Sequence, residues 1–137
     1  MVIKMAKTPI LNNFIRYITP RSFIEKNIKE VYFDETLIKE STIDRYHDLS
    51  QYKGNRQAFI DRSFVEREDY TARLGLIQAP TLILWGENDA WIPVSYAPKF
   101  KSAIKDAQMV IMPNTGHVPM EERPKESLAI VLCFLRP

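Results

Sequence analysis

Cysteine and histidine are scarce in this chain of 137 residues. The single cysteine, Cys133, cannot form a disulfide within the chain, so a small fold held together by disulfide bridges is excluded. This cysteine usage is typical of a reducing compartment, and we expect a cytoplasmic protein. The two histidines, His47 and His117, stand far apart, and the sequence has neither HxxxH nor CxxC spacing. We therefore expect no metal site.

Long apolar runs and a large charge excess are also absent. The longest apolar run, SLAIVLCFL (127–135), is far shorter than the roughly 20 residues that cross a bilayer. Asn12, Asn13 and Arg16 interrupt the kind of hydrophobic region that a signal peptide needs, so we expect no signal peptide. The net charge of +2 gives no reason to expect a nucleic-acid or membrane partner. With 45% hydrophobic residues, the chain is expected to be soluble and globular.

Residues 1–75 carry helical patterns and little strand signal. Pro20 predicts the start of a first helix, because proline is favoured at the first helical position. Ser41 or Thr42 is predicted to cap a second helix, and Asn55 a third. The apolar faces predicted for the three helices are, in chain order, Phe23, Ile24, Asn27, Ile28, Val31 and Tyr32, then Ile43, Tyr46 and Leu49, then Ala58, Phe59 and Phe64.

Residues 76–137 alternate short apolar runs and helical patterns in the order β-α-β-α. The runs APTLILWG (79–86) and AQMVIMP (107–113) predict two strands of a parallel sheet, buried on both faces. A helix that begins at Pro93 joins them, and Pro124 begins a last helix. The predicted inward residues are Ala97, Phe100 and Ile104 on the first of these helices and Leu128, Val131, Leu132 and Leu135 on the second, where Cys133 is interpreted as a small buried hydrophobic residue.

Each predicted strand is followed by a loop that carries a titratable side chain. WGENDAWIP (85–93) holds Asp89, and NTGHVPMEERP (114–124) holds His117. Because the carboxyl ends of parallel strands meet at one edge of a sheet, these two side chains can meet there. A carboxylate that accepts from the imidazole Nδ1–H selects the tautomer whose Nε2 can take a proton, and it stabilises the imidazolium that results. The two loops therefore predict an acid and base pair.

The pairing of G-x-x-D-x-x-x-P (86–93) with G-H-x-x-x-x-E-x-P (116–124) resembles the C-terminal half of an α/β-hydrolase. By this resemblance, Asp89 matches the triad acid and His117 the general base, while Glu122 and Pro124 match the turn into the last helix. The resemblance implies an α/β fold in which a helical cap precedes the last β-α-β-α part of the hydrolase sheet, as an incomplete domain. The cap would be residues 1–75 and the core part residues 76–137. No cofactor is implied.

The family's nucleophile elbow, G-x-S-x-G, is missing from this sequence. None of the four glycines stands two residues from a serine, aspartate or cysteine in that arrangement, and the family's chain order would put the elbow upstream of Met1. We expect the chain to be inactive alone and, if completed by an upstream half, to help hydrolyse a small, largely apolar substrate. Three explanations stay open: a fragment of a hydrolase, one subunit of a split hydrolase, or a non-catalytic module that dimerises or binds a partner.

Two further residues follow the acid and the base closely. Trp91 and Val118 could line an apolar substrate pocket, or they could only pack the two loops against the cap. An exposed edge of the strand TLILW (81–85) would also present unpaired backbone, which predicts self-association or binding of a complementing chain.

The remaining chemical side chains are more simply explained without catalysis. His47 is interpreted as an edge or solvated histidine, and Ser95 and Ser102 lie in a predicted helix rather than at an elbow. Glu121 and Glu122 are neighbours in the chain, and adjacent carboxylates rarely converge on one substrate atom. Glu122 is interpreted as support for the turn and for the dipole of the last helix.

Overall fold

A computed structural model describes residues 17–66 and 68–136 of the chain. In chain order, its helices and strands are α1 (Arg21–Val31), α2 (Glu40–Gln51), α3 (Asn55–Phe64), β1 (Thr81–Gly86), α4 (Ala97–Ala103), β2 (Ala107–Met112), α5 (Pro119–Glu122) and α6 (Pro124–Leu135). Short 3-10 turns lie at Glu35–Leu37, Thr71–Leu76 and Val94–Tyr96. None of the helices in these described ranges has the length and apolar character that crossing a membrane requires.

The chain divides into two compact units. The described residues of Met1–Ile28 and Lys39–Glu68 form the first, which holds α2, α3 and most of α1. The second comprises Lys29–Ile38 and Asp69–Pro137 and holds both strands. The segment Lys29–Ile38 thus packs with the strands, although it lies within the predicted cap. Residues 1–16 and 67 of that cap lie outside the described residues, and the boundary after residue 75 stays a prediction.

The second unit is built on a parallel pair of strands, as predicted. β1 and β2 pair in register from Thr81 with Ala107 to Gly86 with Met112. Both strands are slightly shorter than the apolar runs, because each run includes a proline, which has no N–H for the ladder. The core consists of Ile83, Ala97, Ile104 and Ala107, with Leu74, Trp85, Phe100 and Ile111 packed against it. The inward face predicted for the connecting helix is therefore confirmed.

Several predicted details of the first unit are wrong. α2 begins before Ser41 and Thr42, and its N-cap, Lys39, makes no side-chain capping bond. α3 buries Ile60 and Ser63, and the burial of Ser63 is tolerated because its hydroxyl donates to the Ile60 carbonyl at 2.6 Å. The residues that were predicted to face inward but are exposed are Leu49, Ala58, Phe59 and Phe64. Ile28 and Ile43 are buried as predicted.

The last helix also buries a different face from the predicted one. α6 turns Ser127 inward, and the Ser127 hydroxyl donates to the Pro124 carbonyl at 3.2 Å. The partly buried residues on the same side are Ile130, Val131 and Phe134, whereas Leu128, Leu132 and Leu135 are exposed. Cys133 is exposed as well, so its interpretation as a buried residue is wrong. Because α6 carries apolar residues on more than one side, the sequence pattern could not determine which side is covered.

Candidate active site

The acid and the base predicted from the two loops lie against each other. His117 Nδ1 is 2.9 Å from Asp89 Oδ2. The Asp89 side chain is 5% exposed and the His117 side chain 29% exposed, so the carboxylate is shielded while the imidazole is accessible. A hydrogen bond from Nδ1–H to Asp89 leaves Nε2 as the ring nitrogen that can take a proton. Such an arrangement is chemically capable of general-base catalysis, and the roles of the two residues stay a prediction.

Asp89 is held by the backbone of its own loop, residues 87–93, which we call the acid loop. Its Oδ1 accepts the N–H groups of Trp91 and Ile92, each at 2.8 Å. An aspartate that bonds the backbone two residues ahead forms an Asx-turn, a local structure for which this residue type is favoured. Since Oδ1 is occupied by the loop, Oδ2 is the oxygen that meets His117. Both oxygens of the Asp89 carboxylate therefore have hydrogen-bond partners, and these partners fix the orientation of the carboxylate.

Two backbone hydrogen bonds join the acid loop to the end of β2 and to residues 113–118, which we call the histidine loop. Glu87 N–H donates to the Met112 carbonyl and Asn88 N–H to the Thr115 carbonyl, each at 2.9 Å. Thr115 is fully buried, and its hydroxyl donates to the Pro113 carbonyl at 2.9 Å. The two loops thus continue the pairing of the strands beyond the sheet edge, and this sets the separation of their side chains.

The histidine loop is also held by the Lys29–Ile38 segment. His117 N–H donates to the Val31 carbonyl at 2.8 Å. The Glu122 carboxylate accepts from the Gly116 N–H at 2.7 Å and from the Phe33 N–H at 2.9 Å. The sequence reasoning assigned Glu122 only to the turn and the helix dipole, and it missed the contact with Phe33. No local pattern signals that contact, because the two residues are 89 positions apart.

A short turn follows Phe33 in the same segment. The Asp34 carboxylate accepts from the Thr36 hydroxyl at 2.6 Å and from the Thr36 N–H at 2.9 Å. The bond from the Thr36 hydroxyl, followed by the bond from the Thr36 N–H, holds the pKa of Asp34 below its ordinary value. Desolvation raises that pKa, but its effect is smaller. This turn directly follows Phe33, whose N–H donates to Glu122, and it therefore stabilises the backbone beside that bond.

Trp91 lies beside the acid and base pair, and Val118 follows His117 in the sequence. The Trp91 ring centroid is 5.4 Å from that of His117, with the ring planes tilted by 36°. Trp91 is 50% exposed and Val118 is partly buried. Trp91 therefore offers apolar surface near the imidazole, and the part of both residues in a substrate pocket stays a prediction.

The other candidate residues do not join this pair. His47 lies on α2, where its Nε2 is 3.2 Å from the Thr19 carbonyl oxygen. Ser95 is in a 3-10 turn, and Ser102 is in α4 with its hydroxyl bonded to the Lys99 carbonyl at 2.9 Å. Among residues 17–66 and 68–136, no three His, Cys, Asp or Glu side chains converge as a metal site would require.

Known proteins resemble this chain in sequence and in structure. The sequence model of the alpha/beta hydrolase fold matches residues 9–124. The chain is similar to a 2-hydroxy-6-oxononadienedioate/2-hydroxy-6-oxononatrienedioate hydrolase of Cupriavidus pinatubonensis, at 39% identity over 67 residues, which cover 49% of this chain and 23% of that protein. It is also similar to a 2-hydroxy-6-oxo-6-phenylhexa-2,4-dienoate hydrolase of Burkholderia cepacia, at 28% identity over 127 residues, which cover 89% of this chain and 44% of that protein.

A solved structure shows the same fold. A meta-cleavage product hydrolase from Pseudomonas fluorescens IP01 superimposes with a TM-score of 0.74 at 19% identity, over 87% of this chain and 47% of that one. The chain therefore spans less than half the length of these relatives.

Proposed function

Since the chain belongs to the α/β-hydrolase fold family, we propose that it supplies the base and the orienting acid of a hydrolytic site, with His117 as the base and Asp89 as the acid. The observation that carries this proposal is the 2.9 Å contact between His117 Nδ1 and Asp89 Oδ2. A buried carboxylate with its other oxygen bonded to two backbone N–H groups cannot turn away from the imidazole. In the neutral imidazole, such a carboxylate holds the proton on Nδ1, so that Nε2 is the nitrogen that can accept a proton.

The proposed chemistry is two-step nucleophilic catalysis. His117 Nε2 takes the proton of the attacking nucleophile and then gives it to the leaving group. Asp89 stabilises the imidazolium between these steps. In the second step, Nε2 takes a proton from water, which attacks the enzyme-bound intermediate, and Nε2 then returns that proton to the nucleophile as the product leaves. Because the sequence has no G-x-S-x-G elbow, the nucleophile and the oxyanion donors are assigned to the complementary half of the family domain.

The proposed substrates are 2-hydroxy-6-oxo-dienoic acids. The names of the Cupriavidus and Burkholderia relatives share this 2-hydroxy-6-oxo acid skeleton. Trp91, half exposed beside His117, offers a flat apolar surface to a conjugated chain. Val118 follows His117 in the sequence. This proposal differs from the small, largely apolar substrate expected from the sequence, because these acids carry carboxylate groups.

A chimera tests the function. The part of the Burkholderia cepacia relative that precedes its match to this chain is joined to residues 1–137, and 2-hydroxy-6-oxo-6-phenylhexa-2,4-dienoate is supplied. Turnover is followed by the loss of absorbance of the conjugated chain. We expect His117→Ala to lower kcat by about 10³-fold or more, and the matched change His47→Ala to leave it within about twofold. Equal turnover by the His117→Ala chimera and the parent would overturn the proposal.

The isolated chain provides a second test. Without a nucleophile and oxyanion donors, the acid and base pair gives at most weak assistance to water, so we expect negligible hydrolysis of a simple activated ester. Ester turnover by the isolated chain that disappears in His117→Ala would show that the nucleophile lies within these residues or is water, and would contradict this part of the proposal.

A further inference from the structure

Glu122 is a buried carboxylate that connects the histidine loop to a distant part of the sequence. Its Oε1 accepts from the Gly116 N–H at 2.7 Å, and its Oε2 accepts from the Phe33 N–H at 2.9 Å. The Asp34 N–H lies 3.5 Å from the same Oε2. Donors therefore reach the carboxylate at both oxygens, while only 7% of the residue is exposed. Nothing in the proposed chemistry requires this residue to touch the substrate.

We propose that Glu122 is a positioning residue for His117. Gly116 immediately precedes His117, so the bond from its N–H to Glu122 fixes the backbone from which the imidazole extends. The next N–H, that of His117, donates to the Val31 carbonyl at 2.8 Å. Two successive peptide groups are thus anchored, and together they hold the imidazole where its Nδ1 meets Asp89. This inference rests on the proposed role of His117 as the base.

The arrangement requires two acceptors on one side chain. A glutamate presents two oxygens, and here each oxygen faces a different backbone N–H group. In Glu122→Gln, the side-chain amide has one oxygen and one NH₂ group, so it can accept from Gly116 or from Phe33 but not from both. The backbone N–H that loses its acceptor would then be buried beside the NH₂ group of the glutamine, which is also a donor. A substitution that preserves shape should therefore still release the loop.

Glu121 provides a matched control. It is the preceding residue in the chain, is partly buried, and accepts a hydrogen bond from the Tyr32 hydroxyl at 2.9 Å. Glu121→Gln removes the same charge from the adjacent position and leaves the Gly116 N–H with its partner. A general effect of charge or of α5 stability would change both variants alike.

The test is NMR of the ¹⁵N-labelled chain, residues 1–137, with Glu122→Gln, Glu122→Ala and Glu121→Gln. We expect the Gly116 or Phe33 amide of Glu122→Gln, and both amides of Glu122→Ala, to exchange with solvent about tenfold faster or more. We also expect both Glu122 variants to lose the His117 Nδ1–H signal, which its bond to Asp89 protects in the parent chain. Glu121→Gln should retain that signal. Unchanged resonances from β1 and β2, which belong to the same compact unit as Glu122, confirm that the variants are folded.

The proposal is overturned if the Nδ1–H signal persists in both Glu122 variants, even when Gly116 exchanges faster. Glu122 would then stabilise the loop without positioning the base. Loss of the signal in Glu121→Gln, or its absence from the parent chain, would overturn it equally. Failure of the proposed function would be seen in a different experiment. Turnover of the chimera would then be independent of His117, while the NMR signals of the isolated chain would still depend on Glu122.

Discussion

Gly86 and Gly116 approach each other so closely that a side chain on Gly86 would collide with the backbone of the histidine loop. A Cβ atom at Gly86 would lie 1.9 Å from the Gly116 carbonyl oxygen. A Cβ atom at Gly116 would lie 2.5 Å from the Val31 carbonyl oxygen. The two glycines let the end of β1, the histidine loop and the Lys29–Ile38 segment meet backbone to backbone. Gly86 ends β1 and Gly116 immediately precedes His117, so the close approach lies directly beside the acid and base pair.

Gly86→Ala should therefore destabilise the chain strongly. The added methyl group meets backbone atoms, which cannot rotate away as a flexible side chain would, so we expect a loss of about 3 kcal/mol in the free energy of unfolding. Urea unfolding followed by circular dichroism measures it. Gly75→Ala is the matched control, because a Cβ atom there would lie 3.8 Å from the Ala103 carbonyl oxygen, an ordinary contact. Similar losses for the two variants would contradict the packing argument.

Asp89→Asn should disturb the tautomer of the His117 imidazole while leaving the backbone bonds of the acid loop in place. The side-chain amide can still accept from Trp91 and Ile92, but its NH₂ group would meet His117 Nδ1 as a donor and favour the wrong imidazole tautomer. In the chimera we expect kcat to fall by about 10³- to 10⁴-fold. Asp69→Asn makes the same chemical change at an exposed carboxylate that bonds the Thr71 N–H, and it should leave kcat unchanged. An Asp89→Asn chimera with parental kcat would exclude the orienting role.

Much of the fold could be predicted because its signals are local. Two apolar runs with a proline in each predicted the strands, and the polar residue after each run predicted which loops carry the pair. The family match confirms the predicted fold class. The helix faces were harder to predict, since Ser63 and Ser127 are buried with their hydroxyls bonded to carbonyls of their own helices. A pattern that counts only apolar residues places such serines on the outside.

The supports of the site could not be predicted for another reason. The bonds from Phe33 to Glu122 and from His117 to Val31 use backbone groups of residues that lie far apart in the sequence. A single sequence shows which side chains can do chemistry, but it does not show which distant peptide groups will anchor them. The site pair was accessible to sequence reasoning, whereas the framework that holds it required the structure.

Trp91 should report the protonation of His117. The two rings lie 5.4 Å apart, and a proton on the imidazole places a positive charge beside the indole. In a Trp85→Phe background, which leaves Trp91 as the remaining tryptophan, we expect the emission of Trp91 to decrease as His117 gains its proton. Fluorescence titration measures this change, and NMR of the His117 ring gives the reference. An emission change that persists in His117→Asn would assign the effect to another group.

Thr36→Val should raise the pKa of Asp34 toward its ordinary value, because the hydroxyl of Thr36 is the main cause of the lowering. A lowered pKa in the folded chain stabilises it above the pKa of the unfolded chain, and the benefit disappears as pH falls through the folded value. The variant should therefore be less stable than the parent at neutral pH, with the difference narrowing below about pH 4. Carboxyl ¹³C titration measures the pKa, and Asp69 is the internal control. An unchanged Asp34 titration would contradict the assignment.

The exposed leucines of α6 should make the isolated chain associate. Leu128, Leu132 and Leu135 are 56%, 45% and 66% exposed, and they form an apolar strip on α6, a helix that packs against β1. Such a strip is removed from water when two chains pair, or when the complementary half of the family domain covers it. Sedimentation at micromolar concentrations should show association that Leu128→Lys with Leu132→Lys abolishes. Leu76→Lys alters another exposed leucine and should leave the association intact, whereas a monodisperse parent monomer would contradict the prediction.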